Sequence, residues 1–347
     1  MRVLQVDSGR EWRGGQNQVR LLCRELASAG GVELRLVTKR DGGLARRAGA
    51  DGTPVRGASW TLGLDPLALA RLWREWAAFT PDLVHAHDSH ALQLVLWARA
   101  LTRGRAPVVA TRRVDFHVGP RSAWRRADRV IAISQAVRSV LVADGVAPGG
   151  IAVVPSGIDA AEVRRAAAAF PGARGRLGLP RDAPLAVNVA ALVDHKDQGT
   201  LVRAAAAARL LRPDLHWAIA GEGERRRFLT AEIARLGLGD RVHLLGYVAE
   251  ADALIQEADV FVMSSKEEGL GSVILNALAL DKPVVATAGG GIPEILPPHA
   301  VVPVGDAEAL ARAVVRVLEH PSPIPLPPRY TAAAMARGVL DVYRSLL

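Results

Sequence analysis

Short runs of Val, Ile and Leu recur along the chain, and nearly every one is followed by a segment with the apolar spacing of a helix. Six fall in the first half: Arg2 to Asp7, Glu33 to Thr38, Asp82 to His87, Pro107 to Arg112, Arg129 to Ser134 and Ile151 to Pro155. Six more follow a looser stretch: Leu185 to Leu192, His216 to Ala220, Val242 to Gly246, Val260 to Ser264, Pro283 to Thr287 and Ala300 to Val304. Runs that are apolar at consecutive rather than alternate residues bury both faces, as parallel strands covered by helices on each side do. Right-handed βαβ crossovers then join neighbouring strands. The pattern predicts an α/β chain with two doubly wound parallel sheets. At 347 residues the chain also exceeds what one hydrophobic core ordinarily serves, so two domains are expected, at 1–165 and 166–330. Asp159 to Asp182, which ends in the breaker-rich FPGARGRLGLPRDAP, reads as the linker between them. PSPIPLPPRY halts regular structure again before an amphipathic helix over 331–347, expected to cross back to the first domain.

Charge is spread unevenly. Residues 1–165 hold 25 Lys and Arg against 15 Asp and Glu, whereas the remainder holds 19 against 20. A basic first half suits an anionic partner such as a phosphorylated substrate or an acidic membrane surface, and solvated arginine faces account for it equally well. Nucleic acid fits less, because no aromatic residues interleave with the basic ones in a recognisable module. Cys23 is the sole cysteine, so neither an internal disulfide nor a multi-cysteine metal site can form, and a reducing, cytoplasmic location is expected. MRVLQVDSGR enters a β-like run directly, and no uncharged apolar stretch approaches the roughly 18 residues of a membrane span.

Ligands of open α/β sheets bind at the carboxyl ends of strands, so the chemistry is sought there. After the run ending at Ser264 and Ser265, the loop KEEGLG leads into a helix opening near Ser272. Free N–H groups at a helix start, with Gly269 and Gly271 allowing close approach, make an anion site suited to a diphosphate; the same spacing also fits an ordinary strand–loop–helix turn. HAHDSHA places His85, His87, Asp88 and His90 together but misses the His-x-His-x-Asp-His spacing of metallo-hydrolases, so no metal is expected. Asp88 or Ser89 can cap the next helix, and His85 and His87 share one strand face. TRRVDFHVGPR offers Arg112, Arg113 and Arg121 for a phosphate and Asp115 or His117 for an acceptor hydroxyl, or simply a polar loop.

The stretch ADVFVMSSKEEGLGSVILNALALDKPVVATAGGGIPEIL closely resembles the nucleotide-sugar segment of GT-B glycosyltransferases of family four. GGQNQV at Gly14, VHAH at Val84, ADRVIAIS at Ala127, VVPSGID at Val153, VAALVDHKD at Val189 and AGEGERRRFL at Ala220 extend the likeness in order along the chain. The resemblance implies two Rossmann-like domains facing across a cleft. It also implies a retaining transfer of sugar from a nucleotide diphosphate to a hydroxyl of a glycan or lipid-linked acceptor, without a bound metal or other cofactor. Glu268 matches the family's first donor-contacting Glu, and Asn276 stands where a second Glu is usual. Lys196 matches the diphosphate lysine, while Ala191 replaces the partner arginine. His195, or Arg10, Arg13, Arg112 or Arg113 from the first domain, would then supply the missing cation. Carried over in the same way, the donor-binding set is Gly14, Gly15, Lys196, Gly221, Gly223, Glu268, Gly269, Leu270, Gly271, Ser272, Val273 and Asn276. Glu268, Lys196, Asp115 and His117 are the expected catalytic residues, and Arg13, His87, Arg112 and Arg113 the expected acceptor or phosphate contacts. Loss of the arginine and the second glutamate leaves two further readings, a sugar-nucleotide-binding protein without transfer and a UDP-sugar epimerase.

Overall fold

A computed structural model describes residues 1–60, 65–119 and 122–347. Arg121, an expected anion contact, lies outside them. The chain divides into two compact units, Met1–Ile158 with Pro328–Leu347, and Asp159–Pro327. The first unit carries seven parallel strands: β1 (Arg2–Val6), β2 (Glu33–Lys39), β3 (Val55–Ala58), β4 (Leu83–Ala86), β5 (Val108–Arg112), β6 (Arg129–Ala132) and β7 (Ile151–Val153). They lie in the order 3-2-1-4-5-6-7. The second unit holds β8 (Leu185–Val189), β9 (His216–Ala220), β10 (Val242–Gly246), β11 (Val260–Met263), β12 (Val284–Thr287) and β13 (Val301–Val302), ordered 10-9-8-11-12-13. Each order reverses direction at its centre, between β1 and β4 and between β8 and β11, and such switch points open a crevice at the carboxyl edge.

The expected runs all become strands. β3 went unseen because VRGA, at the sheet edge, is half polar and carries a glycine, so no apolar run marks it. In the first unit the helix Gly14–Ser28 buries Val19, Leu22 and Leu26 against Leu34 and Leu36 of β2 and against Met335, Ala336 and Val339 of the last helix, Ala332–Arg344. In the second, the helices Gln198–Leu211 and Ala307–Glu319 cover Trp217, Ile219, Val260 and Val262.

The division between the units falls at Ile158, seven residues before the expected 165, and the supposed linker is structured. Asp159 caps the helix Ala160–Ala168, accepting from the Glu162 N–H at 2.9 Å. The turn Ala173–Arg176 is then fastened by two backbone N–H groups to the Glu257 carboxylate at 2.7 and 2.8 Å. Breaker residues mark a bend in the path here, but the capping aspartate and the Glu257 carboxylate integrate it into the second unit. The residues after Pro327 belong to the first unit. Ile158 and Thr331 bridge in parallel, with Ile158 N–H donating to the Tyr330 carbonyl and Ala332 N–H to that of Ile158, both at 2.9 Å. Gly157 makes this junction possible, since a Cβ there would stand 2.2 Å from the Thr331 carbonyl oxygen.

Gly157→Ala should therefore destabilise the first unit by more than about 2 kcal/mol in urea denaturation, because only backbone could yield. Gly149→Ala, where a Cβ meets nothing within 4 Å, should change stability by less than about 1 kcal/mol.

Candidate functional site

At the switch point of the second unit the chain leaves β8 through Ala190 to Lys196 and leaves β11 through Ser264 to Glu268. These loops are tied together by backbone: Lys266 N–H donates to the His195 carbonyl at 2.8 Å, and Ser264 Oγ to the Lys196 carbonyl at 3.0 Å. The Lys196 ammonium sits directly on the Glu268 carboxylate, with the two side chains 17% and 14% exposed. Ser265 Oγ donates to the same carboxylate at 3.3 Å. A lysine donates up to three hydrogen bonds and a carboxylate offers about four lone pairs, so each member of this pair can take part in more than one contact.

Glycines set the shape of the crevice. A Cβ on Gly221 or Gly223 would meet the Ala190 and Leu192 carbonyls at 1.9 and 2.3 Å, so this loop lies flat on the one that carries Lys196. Gly289, from the run after β12, approaches the Ser265 carbonyl in the same manner, and Thr287 Oγ1 donates to that carbonyl at 2.7 Å. Gly291 N–H holds the Glu268 carbonyl at 2.8 Å. The sequence reading gave Thr287, Gly289 and Gly291 no part; three successive glycines at a strand's carboxyl end were the available signal.

Gly271, at φ 86°, precedes the helix Ser272–Ala279, and no side chain caps that start. Helix N-termini without a capping side chain present N–H groups and a partial positive charge to an anion. Gly269, Leu270 and Gly271 are buried there, with Ser272 and Val273 half-buried in its first turn. Asn276 has a partner within the unit. Its side-chain amide donates to Asp252 Oδ1 at 2.8 Å, and burial holds the Asp252 carboxyl above its ordinary range. An amide places a neutral donor beside a buried acid, where a second glutamate would repel it. Ala191 is exposed.

In the first unit Gly14 and Gly15 form the opening turn of a helix rather than a glycine loop, with no capping side chain and Gly15 close to the Arg113 side chain. Arg13 is exposed and paired with Glu11. Arg112 donates to the Phe116 carbonyl at 2.7 Å and lies over the Trp124 ring. His117 is exposed and hydrogen-bonded to Asp144 at 2.7 Å, which, with the Val118 N–H, holds that carboxyl low. Asp115 stays half-buried in the same segment, and its charge acts on Arg112. Asp88 caps the helix Ser89–Thr102, as its sequence position implied, and also accepts from Ser8 N–H at 2.7 Å.

His85 and His87 are not presented to ligand: both are buried in a polar chain that the sequence did not reveal. Arg113 only donates, so His87 Nδ1, 3.2 Å from its Nη2, must accept, and His87 carries its proton on Nε2. That proton goes to Gln5 Oε1 at 2.7 Å; Gln5 Nε2 donates to Tyr343 Oη at 3.0 Å. Tyr343 donates to His85 Nδ1 at 2.6 Å, and His85 Nε2 to Thr111 Oγ1 at 2.7 Å. One polarity runs from Arg113, through Tyr343 of the last helix, to Thr111 on β5. Burial, with Arg113 nearby, keeps both imidazoles neutral well below the usual histidine range. Asp7, buried beside Asp88, is pushed up to about 6. Cys23 is buried, and its thiol is pushed up to about 12. Among the described residues, no three His, Cys, Asp or Glu side chains cluster as a metal site.

Two doubly wound units, one with a lysine–glutamate pair beside an uncapped helix start at its switch point, define a paired Rossmann-like α/β protein. Residues 12–162 match the family described as Glycosyltransferase Family 4 and residues 171–336 that described as Glycosyl transferases group 1; the chain belongs to these GT-B glycosyltransferases. It is 35% identical over 148 residues, 42% of each chain, to the lipopolysaccharide core biosynthesis glycosyltransferase LpsE of Rhizobium meliloti. To the 2-deoxystreptamine glucosyltransferase of Streptomyces kanamyceticus it is 30% identical over 211 residues, 59% of this chain and 54% of that one. The matched segments span about half the length of these curated relatives. Anabaena Alr3699/HepE, crystallised with UDP and glucose, shares the fold at a TM-score of 0.82 and 20% identity, over 99% of this chain and 100% of that one.

The buried titratable groups fix a pH response. The folded chain leaves His85 and His87 unprotonated where the unfolded chain protonates them, so stability falls as pH drops below 6.5, by about 1.4 kcal/mol per pH unit for each. Asp7 acts oppositely between pH 4 and 6, where the folded chain keeps a proton that the unfolded chain releases. Asp7→Asn removes this offset. Urea denaturation from pH 7 to pH 5 should then show a loss below pH 6 steeper than wild type, approaching about 1.4 kcal/mol per pH unit more.

Proposed function

We propose that the protein is a retaining glycosyltransferase that moves a sugar from a nucleotide-diphosphate sugar to a hydroxyl of a glycan acceptor, lipid-linked or phosphorylated. The observation that carries this reading is the Lys196–Glu268 pair beside the uncapped start of Ser272–Ala279. Lys196 and the N–H groups at Ser272 and Val273 stabilise negative charge growing on the leaving diphosphate, while Glu268 accepts hydrogen bonds from sugar hydroxyls. As the anomeric C–O bond to the diphosphate breaks, the acceptor oxygen bonds to the same face, and its proton passes to a diphosphate oxygen; no protein base is needed. The products are the glycoside and the nucleoside diphosphate. The UDP-bound relative supports a UDP-sugar among the donors. The lipopolysaccharide relative and the arginine-rich first unit support an anionic or lipid-carried acceptor, met in the cytoplasm at the inner face of a membrane. No metal or other cofactor enters this scheme.

Exposed Ala191 and the engagement of Asn276 with Asp252 favour one alternative, a protein that binds the donor without transferring from it.

A thermal-shift screen over UDP-, GDP-, ADP- and dTDP-sugars should give one clear stabilisation, roughly 2.7 kcal/mol at about 100 times the dissociation constant. With that donor, Lys196→Ala should lower kcat/KM by roughly two to three orders of magnitude, and NMR of the product should show the anomeric configuration of the donor. Stabilisation without release of nucleoside diphosphate across a broad acceptor panel would establish the binding-only alternative.

A further inference from the structure

The helix Pro66–Phe79 has two apolar stripes where a surface helix ordinarily has one. Ala68, Leu72, Trp76 and Phe79 are buried in the first unit. Pro66, Leu69, Ala70 and Trp73, at the same helical spacing, face outward and line a groove with Leu101 of the neighbouring helix Ser89–Thr102. Leu67 is 71% exposed, Leu101 62% and Trp73 44%; Trp97, one turn before Leu101, is exposed as well. An apolar groove lined by an exposed tryptophan, with a second exposed tryptophan one helical turn from Leu101, is a contact surface rather than scattered exposure.

We propose that this face docks the first unit on an anionic phospholipid bilayer. Charge selects the occupant. Arg74, Arg103 and Arg105 are exposed in or just beyond the two helices. The sole carboxylate within them, Glu75, is buried and surrounded by Arg35, Arg56 and Arg71 at 3.1 to 3.6 Å. The surface therefore offers apolar and aromatic side chains rimmed by cations, with no exposed acid on either helix. Indole rings sit at the headgroup level of a bilayer, arginine stems lie along apolar surface while their heads reach the lipid phosphates, and basic residues gain from an acidic leaflet. A second copy of this chain fits less well, since a two-fold pairing would bring the same arginines face to face. Among the described residues no helix is long and apolar enough to cross a membrane, so the contact lies on the surface. The inference stands apart from sugar transfer: the contact requires neither donor nor acceptor.

Co-sedimentation of the full chain with vesicles tests it. Binding is expected to vesicles of phosphatidylcholine containing phosphatidylglycerol, weakening as salt rises, and not to phosphatidylcholine alone. The double variant Trp73→Ser with Leu101→Ser should lower the apparent affinity by about tenfold or more while keeping the wild-type circular dichroism and melting temperature. Arg74→Glu with Arg103→Glu should abolish the preference for phosphatidylglycerol. Leu210→Ser, at a residue 84% exposed in the second unit, should bind as wild type. Equal binding to both vesicle types, or undiminished binding by the double variant, would overturn the proposal. So would light scattering that shows a wild-type dimer dissociated by Trp73→Ser, which would assign the face to self-association.

Discussion

In a sheet whose strands all run one way, every reversal of the chain happens off the sheet, and the carboxyl ends of the strands collect along a single edge. Everything chemically notable in this protein follows from that constraint. In the second unit the loops after β8 and β11 meet because the strand order reverses between them, and the meeting brings together Lys196 and Glu268, separated by more than seventy residues. Two charges held largely out of water persist only with good geometry and further hydrogen bonds, which the Ser265 hydroxyl supplies. Gly221 and Gly223 let the loop after β9 lie on the one after β8, and Gly289 lets the run after β12 lie on the one after β11.

The strands were legible because parallel strands, buried on both faces, write themselves as uninterrupted Val/Ile/Leu runs. β3 did not, since an edge strand has only one neighbour and tolerates Arg56 and Gly57. The stretch after Ile158 was misread for a related reason: breakers such as Pro171 and Gly172 mark a turn, yet whether a turn lies between units or inside one depends on a distant partner, here Glu257. The loop after β11 was recognisable as a glycine-bearing strand–loop–helix turn from Glu268, Gly269 and Gly271. The Asn276–Asp252 contact was not, because it joins two helices with no local pattern linking them.

The first unit's switch point was the least readable. A dense run of histidines suggests ligands, but His85 lies on a central strand and His87 just beyond its end, and Gln5 and Thr111 on the neighbouring strands, together with Tyr343 of the last helix, absorb every ring nitrogen not taken by Arg113. Buried polar groups are tolerated only in such closed networks. Composition cannot announce one, since its members come from β1, β4, β5 and the last helix.

The return of Ala332–Arg344 to the first unit sets an order of events at the ribosome. β1 to β7 emerge before the second unit, yet the surface that receives Met335, Val339 and Tyr343 stays bare until Ala332–Arg344 is translated, well over one hundred codons later. The second unit can complete its core during that interval; the first cannot. Nascent chains truncated before residue 328 should consequently be clients of chaperones that shield apolar surface, and ribosome stalling in the second half of the message would be harder on the first unit than on the one being made.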